Sequence, residues 1–151
     1  ITPLINHIKI QLHIIPFQGI DMRLYFLLSL LISSVFADYN AKPIDTHLID
    51  SHIKIIDIRT PYEWKTTGII KGSIPIMFFN EQGNYNLSQF LSELNKHVAK
   101  GEKFAVICNS GNRSQVLGKY LGQQLNYDVI DLQGGIQSAI QKKIPLIPYS
   151  K

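Results

Sequence analysis

The chain has 151 residues, 45% of them hydrophobic, and carries a formal net charge of +4 at pH 7. Its basic residues are dispersed, so Lys142-Lys143 and Lys100 to Lys103 read as solvated surface and nucleic acid is excluded as a partner. The single cysteine, Cys108, excludes an internal disulfide and an internal resolving thiol.

In chain order, residues Ile1 to Asp21 precede the first methionine, hold two prolines among scattered apolar residues, and read as a translated upstream segment outside the working protein. Met22-Arg23, the apolar Leu24 to Ile32 and the small-residue ending Ser33-Ser34-Val35-Phe36-Ala37 read as a secretory signal peptide over residues 22–37, cleaved before Asp38. The apolar stretch is short for a bilayer span. A periplasmic or secreted protein is therefore expected, with an uncleaved amino-terminal anchor as the alternative. Residues 38–151 suit one compact domain with a modest core, and no internal repeat is visible.

Within that domain a short first strand is expected around Pro43-Ile44, and further strands near Lys54 to Asp57, Ser73 to Met77, Phe104 to Ile107 and Val129 to Asp131. Helices are expected near Pro61 to Lys65, Leu87 to Val98, Ser114 to Leu125 and Ile136 to Gln141. Thr60 with Glu63 three residues on forms a capping box, and Pro61 takes the first helical position, where its missing N–H costs nothing. Asp57 and Arg59 point the same way on a strand, and Arg59 is within reach of Glu63; a structural ion pair is the reading, ahead of a catalytic role for Arg59. Trp64 reads as core. Phe78 to Asn86, with Asn80, Gly83, Asn84 and Asn86, is a polar turn or loop, a surface connector before it is a border of any site. Gly134-Gly135 supplies a tight turn of positive φ, and Gly111 does the same further upstream. His47, His52 and His97 lack the spacing of a ligand set, so no metal is expected, and no other cofactor is implied.

The alternation of strands and helices makes an α/β fold, with a mainly parallel sheet covered by helices on both faces and ligand at the carboxyl ends of its strands. Cys108 lies at such an end. It follows the buried run Phe104-Ala105-Val106-Ile107 and precedes Asn109-Ser110-Gly111-Asn112-Arg113-Ser114 and a helix. The unpaired N–H groups and positive dipole end of that helix favour negative charge at the sulfur. A lone cysteine is often a small buried hydrophobe. A glycine, an arginine and small polar residues directly after a strand point instead to an anion cradle.

This loop resembles the active-site loop of the rhodanese-like sulfurtransferases, in which a cysteine, four residues and an arginine curl so that backbone amides converge on the sulfur. Ile55-Ile56-Asp57-Ile58-Arg59-Thr60-Pro61-Tyr62-Glu63-Trp64 with Gly68-Ile69-Ile70-Lys71-Gly72-Ser73-Ile74-Pro75-Ile76 is similar to the family's first-half signature, and Leu132-Gln133-Gly134-Gly135-Ile136 to its closing turn. The resemblance runs from about Ile44 to Pro148. It implies a rhodanese-like fold with a five-stranded sheet and a sulfurtransferase. Cys108 would take sulfane sulfur from thiosulfate, a polysulfide or a persulfide donor and pass it to a thiol or cyanide-like acceptor, or to a protein acceptor. Asn109, Ser110, Gly111, Asn112, Arg113 and Ser114 would bind the anionic donor and hold charge on the persulfide. Arg113 would either meet the donor or brace the loop. Related phosphatases place five residues between cysteine and arginine; this chain has four, Asn109 to Asn112, which suits sulfur. Asn109 is neutral where many thiosulfate-active relatives carry a basic residue, which disfavours thiosulfate. The family's tryptophan under the last helix is replaced by Ala139, and Trp64 stands where a phenylalanine is usual. A sulfur-binding or sulfur-delivery module without turnover is the alternative, and the domain is a monomer or a homodimer.

Overall fold

The computed structural model describes residues 39–150, and the segments read as an upstream extension and a signal peptide lie outside them. The elements are β1 Tyr39–Pro43, α1 Thr46–Asp50, β2 Lys54–Asp57, α2 Pro61–Thr67, β3 Ile69–Ile70, β4 Ile74–Pro75, α3 Leu87–His97, β5 Phe104–Ile107, α4 Asn112–Leu125, β6 Val129–Gln133, α5 Gly135–Gln141 and β7 Leu146–Ile147. The main sheet has five strands in the order β1-β6-β5-β2-β4. Every pairing within it is parallel, which requires each connection to cross a face of the sheet.

Side-chain alternation divides the core in two. On one face Ile56, Phe104, Val106 and Val129 pack with Phe90 and Leu94 of α3 and Leu117 and Leu121 of α4. On the other, Ile55, Ala105, Ile107, Ile130 and Leu132 pack with Ile136 and Ala139 of α5, and Leu48 and Ile49 of α1 close its rim. Strands buried on both faces read as continuous apolar runs, which is why β5 stands out in the sequence. Ala139 is fully buried in this second layer, which packs around a small residue at that position.

Several boundaries move from those expected. The first strand is Tyr39–Pro43 and not Pro43-Ile44, because its register is set by pairing with β6 from Tyr39↔Val129 to Pro43↔Gln133. An additional helix, α1, is capped by Asp45, whose Oδ1 accepts the Leu48 N–H at 2.7 Å. A second, two-stranded antiparallel sheet joins β3 to β7 across the chain. Helix α4 starts at Asn112, two positions before the expected Ser114, so Arg113 stands in its first turn. The third expected strand, Ser73 to Met77, shrinks to Ile74–Pro75, although beyond it the Ile76 N–H still donates to the Asp57 carbonyl at 3.0 Å.

Candidate active site

Three elements converge at the carboxyl end of β5. The strand ends at Ile107, and the chain turns through Gly111, at φ 96, into α4. Only glycine fits there: a Cβ on Gly111 would stand 2.9 Å from the Gly134 nitrogen as well as in the left-handed region. The turn folds the chain back on the sulfur. Cys108 Sγ accepts the N–H of Gly111 at 3.1 Å and that of Ser114 at 3.4 Å, and the Ser114 hydroxyl lies 3.4 Å from it. Cys108 is fully buried, Asn109, Gly111 and Arg113 are half-buried, and Ser110 and Asn112 are exposed. Among the bonds described, Gly111 and Ser114 supply the N–H groups aimed at sulfur.

The loop is held from behind by the start of α5. The Ile136 and Gln137 N–H groups donate to the carbonyls of Cys108 and Asn109 at 2.9 and 3.0 Å. That approach requires Gly135, at φ 59, because a Cβ would fall 2.4 Å from the Cys108 carbonyl oxygen. The glycine pair therefore does more than turn the chain: Gly135 lets α5 seat directly on the loop.

The front of the loop is held by Glu63. Arg113 Nη1 donates to Glu63 Oε2 at 2.9 Å and Nη2 to Oε1, a fork-to-fork pair between residues fifty positions apart. The Thr60 N–H also donates to Glu63 Oε2, at 2.9 Å, completing the expected capping box with the Thr60 hydroxyl. Burial alone would raise the Glu63 carboxyl, but the hydrogen bonds of Arg113 and the Thr60 N–H outweigh it and hold Glu63 below the usual range. Glu63 in turn, with a smaller contribution from Cys108, raises the pKa of Arg113. Of the two orientations open to Arg113, the loop brace is the one observed.

The structural ion pair of Arg59 is made with Asp57 and not with the Glu63 carboxylate. Both side chains are fully buried, with Nη2 2.7 Å and Nε 2.9 Å from the Asp57 oxygens. The remaining donors go to Thr67 Oγ1 at 2.6 Å and the Gly68 carbonyl at 2.7 Å, so the guanidinium ties β2 to the end of α2. Glu63 is free for Arg113 because Asp57 occupies Arg59.

A cleft of about 660 Å³ opens in front of the loop, lined by Thr60, Tyr62, Glu63, Phe79, Asn80, Glu81, Gly83, Asn112, Arg113 and Val116. The Phe78 to Asn86 segment thus borders the mouth and is more than a connector. It is folded by a Phe79↔Tyr85 bridge and by Asn80 Oδ1, which accepts the Gln82 and Asn84 N–H groups. Two acidic side chains and one already paired arginine give this cleft no free positive charge. Among the described residues no cluster of three or more His, Cys, Asp or Glu side chains could hold a metal ion.

The rhodanese-like domain model matches residues 38–142. Among solved structures, a rhodanese-related protein from Thermoplasma volcanium is 30% identical, with TM-score 0.53, over 72% of this chain and 99% of that one. The polysulfide-sulfur transferase homodimer from Wolinella succinogenes aligns with TM-score 0.57 at 19% identity, over 87% of this chain and 96% of that one. Rv0390 from M. tuberculosis aligns with TM-score 0.53 at 17% identity, over 65% and 80%. No curated protein matches the sequence. The five-stranded parallel sheet, the loop after its central strand and the match across residues 38–142 place this chain in the rhodanese-like domain family.

Proposed function

We propose that the protein is a sulfurtransferase that works through a persulfide on Cys108. The observation that carries this reading is the convergence of the Gly111 and Ser114 N–H groups on Sγ within a loop of four residues between Cys108 and Arg113. The Cys108 thiolate attacks the outer sulfur of a donor; the donor's S–S bond breaks and its remainder leaves with the electron pair. An acceptor thiolate then attacks the outer sulfur of the Cys108 persulfide, and Cys108 departs as thiolate with both electrons. Loop amides hold the negative charge on the persulfide and on the departing group. Asn109, Ser110, Asn112 and Arg113 border the donor, with Arg113 acting as brace.

A polysulfide or persulfide is a better donor here than thiosulfate. Asn109 is neutral, the charge of Arg113 is committed to Glu63, and Glu81 adds negative charge to the cleft, so a compact dianion meets no unpaired cation. The name of the Wolinella protein makes polysulfide the first donor to try. The acceptor is a thiol of a small molecule or of a protein. The basic, apolar and small-residue order of residues 22–37 supports export to the periplasm, tested by finding Asp38 as the mature amino terminus.

The full burial of Cys108 favours a second reading, a module that stores and delivers sulfur without turnover. Intact-mass spectrometry separates the two. With polysulfide the protein gains one sulfur atom, cyanide or a thiol removes it, and Cys108→Ser gains none. Repeated turnover with small acceptors establishes the enzyme; loading without turnover establishes the carrier; no loading with any donor overturns both.

A further inference from the structure

Among the described residues seven large apolar or aromatic side chains are exposed, and four of them line either the cleft in front of the Cys108 loop or the cavity beside it: Tyr62, Tyr85, Val116 and Tyr120. Single exposed apolar residues need no explanation, but a group gathered at one mouth does. Val116 is the least expected of them. It is 62% exposed on α4, where packing does not ask for it, and a β-branched residue is a weak helix former.

Val116 and Phe79, which line the cleft, also line a second cavity of about 280 Å³. Its floor is the buried pair Phe78 and Leu117; Val116 and Tyr120, one helical turn apart, come from α4, and Phe79 and Tyr85 come from the Phe78 to Asn86 segment. The aromatic side is set before any ligand arrives. Tyr85 stacks on Phe78 with ring centroids 5.0 Å apart, and meets Phe79 edge-on at 5.6 Å. Leu117 follows Ser114, whose N–H reaches Cys108 Sγ, by three residues, so the cavity floor lies about 4.5 Å along the helix axis from a donor to the sulfur.

Charge and polarity select what fits. No charged residue lines this cavity, and the cleft it joins holds Glu63, Glu81 and an arginine already committed to Glu63. A carboxylate on the ligand would meet like charge and no free cation, and a peptide main chain would bring N–H and C=O groups that these walls leave largely unpaired. A cavity of about 150 Å³ already takes a benzene, so there is room here for one ring and a short chain.

We propose that this cavity is the acceptor subsite, and that the acceptor is a small organic thiol with an uncharged, apolar body of ring size. This rests on the sulfurtransferase reading and names its substrate class. The body lies between α4 and the Phe79-Tyr85 wall, and its thiol reaches through the cleft to the loop. The thiol gives its proton to water, and its sulfur attacks the outer sulfur of the Cys108 persulfide. The S–S bond breaks with its electron pair on Cys108, and the apolar body leaves as its own hydropersulfide.

The test uses the whole chain, loaded with polysulfide and discharged by benzyl mercaptan, 2-mercaptoethanol or 4-(mercaptomethyl)benzoate. In the wild type kcat/KM should favour benzyl mercaptan over each of the other two by about tenfold. Tyr120→Gln, which removes the ring from a half-exposed helical position, should bring the ratios close to those of the thiols reacting without the cavity, and Tyr120→Phe should restore them. Binding is read separately by the methyl resonances of Val116 and Leu117 in Cys108→Ser, which cannot load sulfur. Benzyl mercaptan should shift them saturably and 2-mercaptoethanol should not. Equal ratios in wild type and Tyr120→Gln overturn the proposal. So does an absence of saturable shifts, the result if a protein surface is the occupant, and so do shifts that follow protein concentration alone, the mark of a second copy. Saturable binding in a protein that loads no sulfur from any donor keeps the apolar subsite and removes the sulfurtransferase reading.

Discussion

At the scale of single residues, Glu63 joins two jobs that look unrelated in the sequence. Its spacing from Thr60 announces a capping box, and that part is legible because a cap is a local device. Its partner Arg113 is not legible, since nothing local tells a helix-start glutamate about an arginine fifty positions later. The same limit applies to Asp57 and Arg59: an ion pair is readable from period two, but the choice of Asp57 over Glu63 depends on both side chains being enclosed. Because Glu63 is held below its ordinary value in the folded state, it adds stability above the unfolded glutamate pKa of about 4.3, and that stability is lost as pH falls through the lower folded value. Thermal melts from pH 7 downwards should therefore show an acid loss in the wild type that is smaller in Glu63→Gln. Asp57→Ala leaves the fully buried Arg59 without its counter-charge, and should cost about 3–5 kcal/mol in urea unfolding.

At the scale of elements, the β5-loop-α4 unit is the most legible part of the chain, because a four-residue apolar strand and a glycine turn are strong local signals. The start of α4 is less so. Gly111 makes no side-chain cap hydrogen bond, and without a capping side chain the sequence does not mark where the helix begins. Strands β3 and β7, two residues each, are invisible beforehand because they exist only through pairing with each other. Helix α1 left one readable trace, Asp45 three residues before Leu48, too weak beside its short length. The seating of α5 on the Cys108 loop gives this scale its prediction. Gly135→Ala adds a clash with the Cys108 carbonyl to an unfavourable φ, and should destabilise by about 1–3 kcal/mol. Hydrogen exchange should show the Ile136 and Gln137 amides losing protection before those of β5.

At the scale of the whole molecule, the α/β class with a parallel sheet follows from alternating strand and helix patterns, and the strand order follows only from long-range pairing. The carboxyl-terminal tail is a case of the latter. Tyr149 packs on the buried Trp64 with ring centroids 5.3 Å apart, and β7 closes over β3 beside Gly68. A chain ending at Ile144 should therefore show red-shifted fluorescence from its single tryptophan and a lower Tm, with persulfide loading reduced through the Gly68 anchor of Arg59. The two outer strands of the main sheet have a consequence for how copies of the protein can meet. β4 is two residues long and ends in Pro75, and β1 carries Lys42 and ends in Pro43. Short, charged and proline-bearing margins are poor templates for a further strand, so they resist open-ended sheet growth and aggregation. Any pairing of two such molecules then has to use helix and loop surfaces, leaving the sheet itself closed to recruitment.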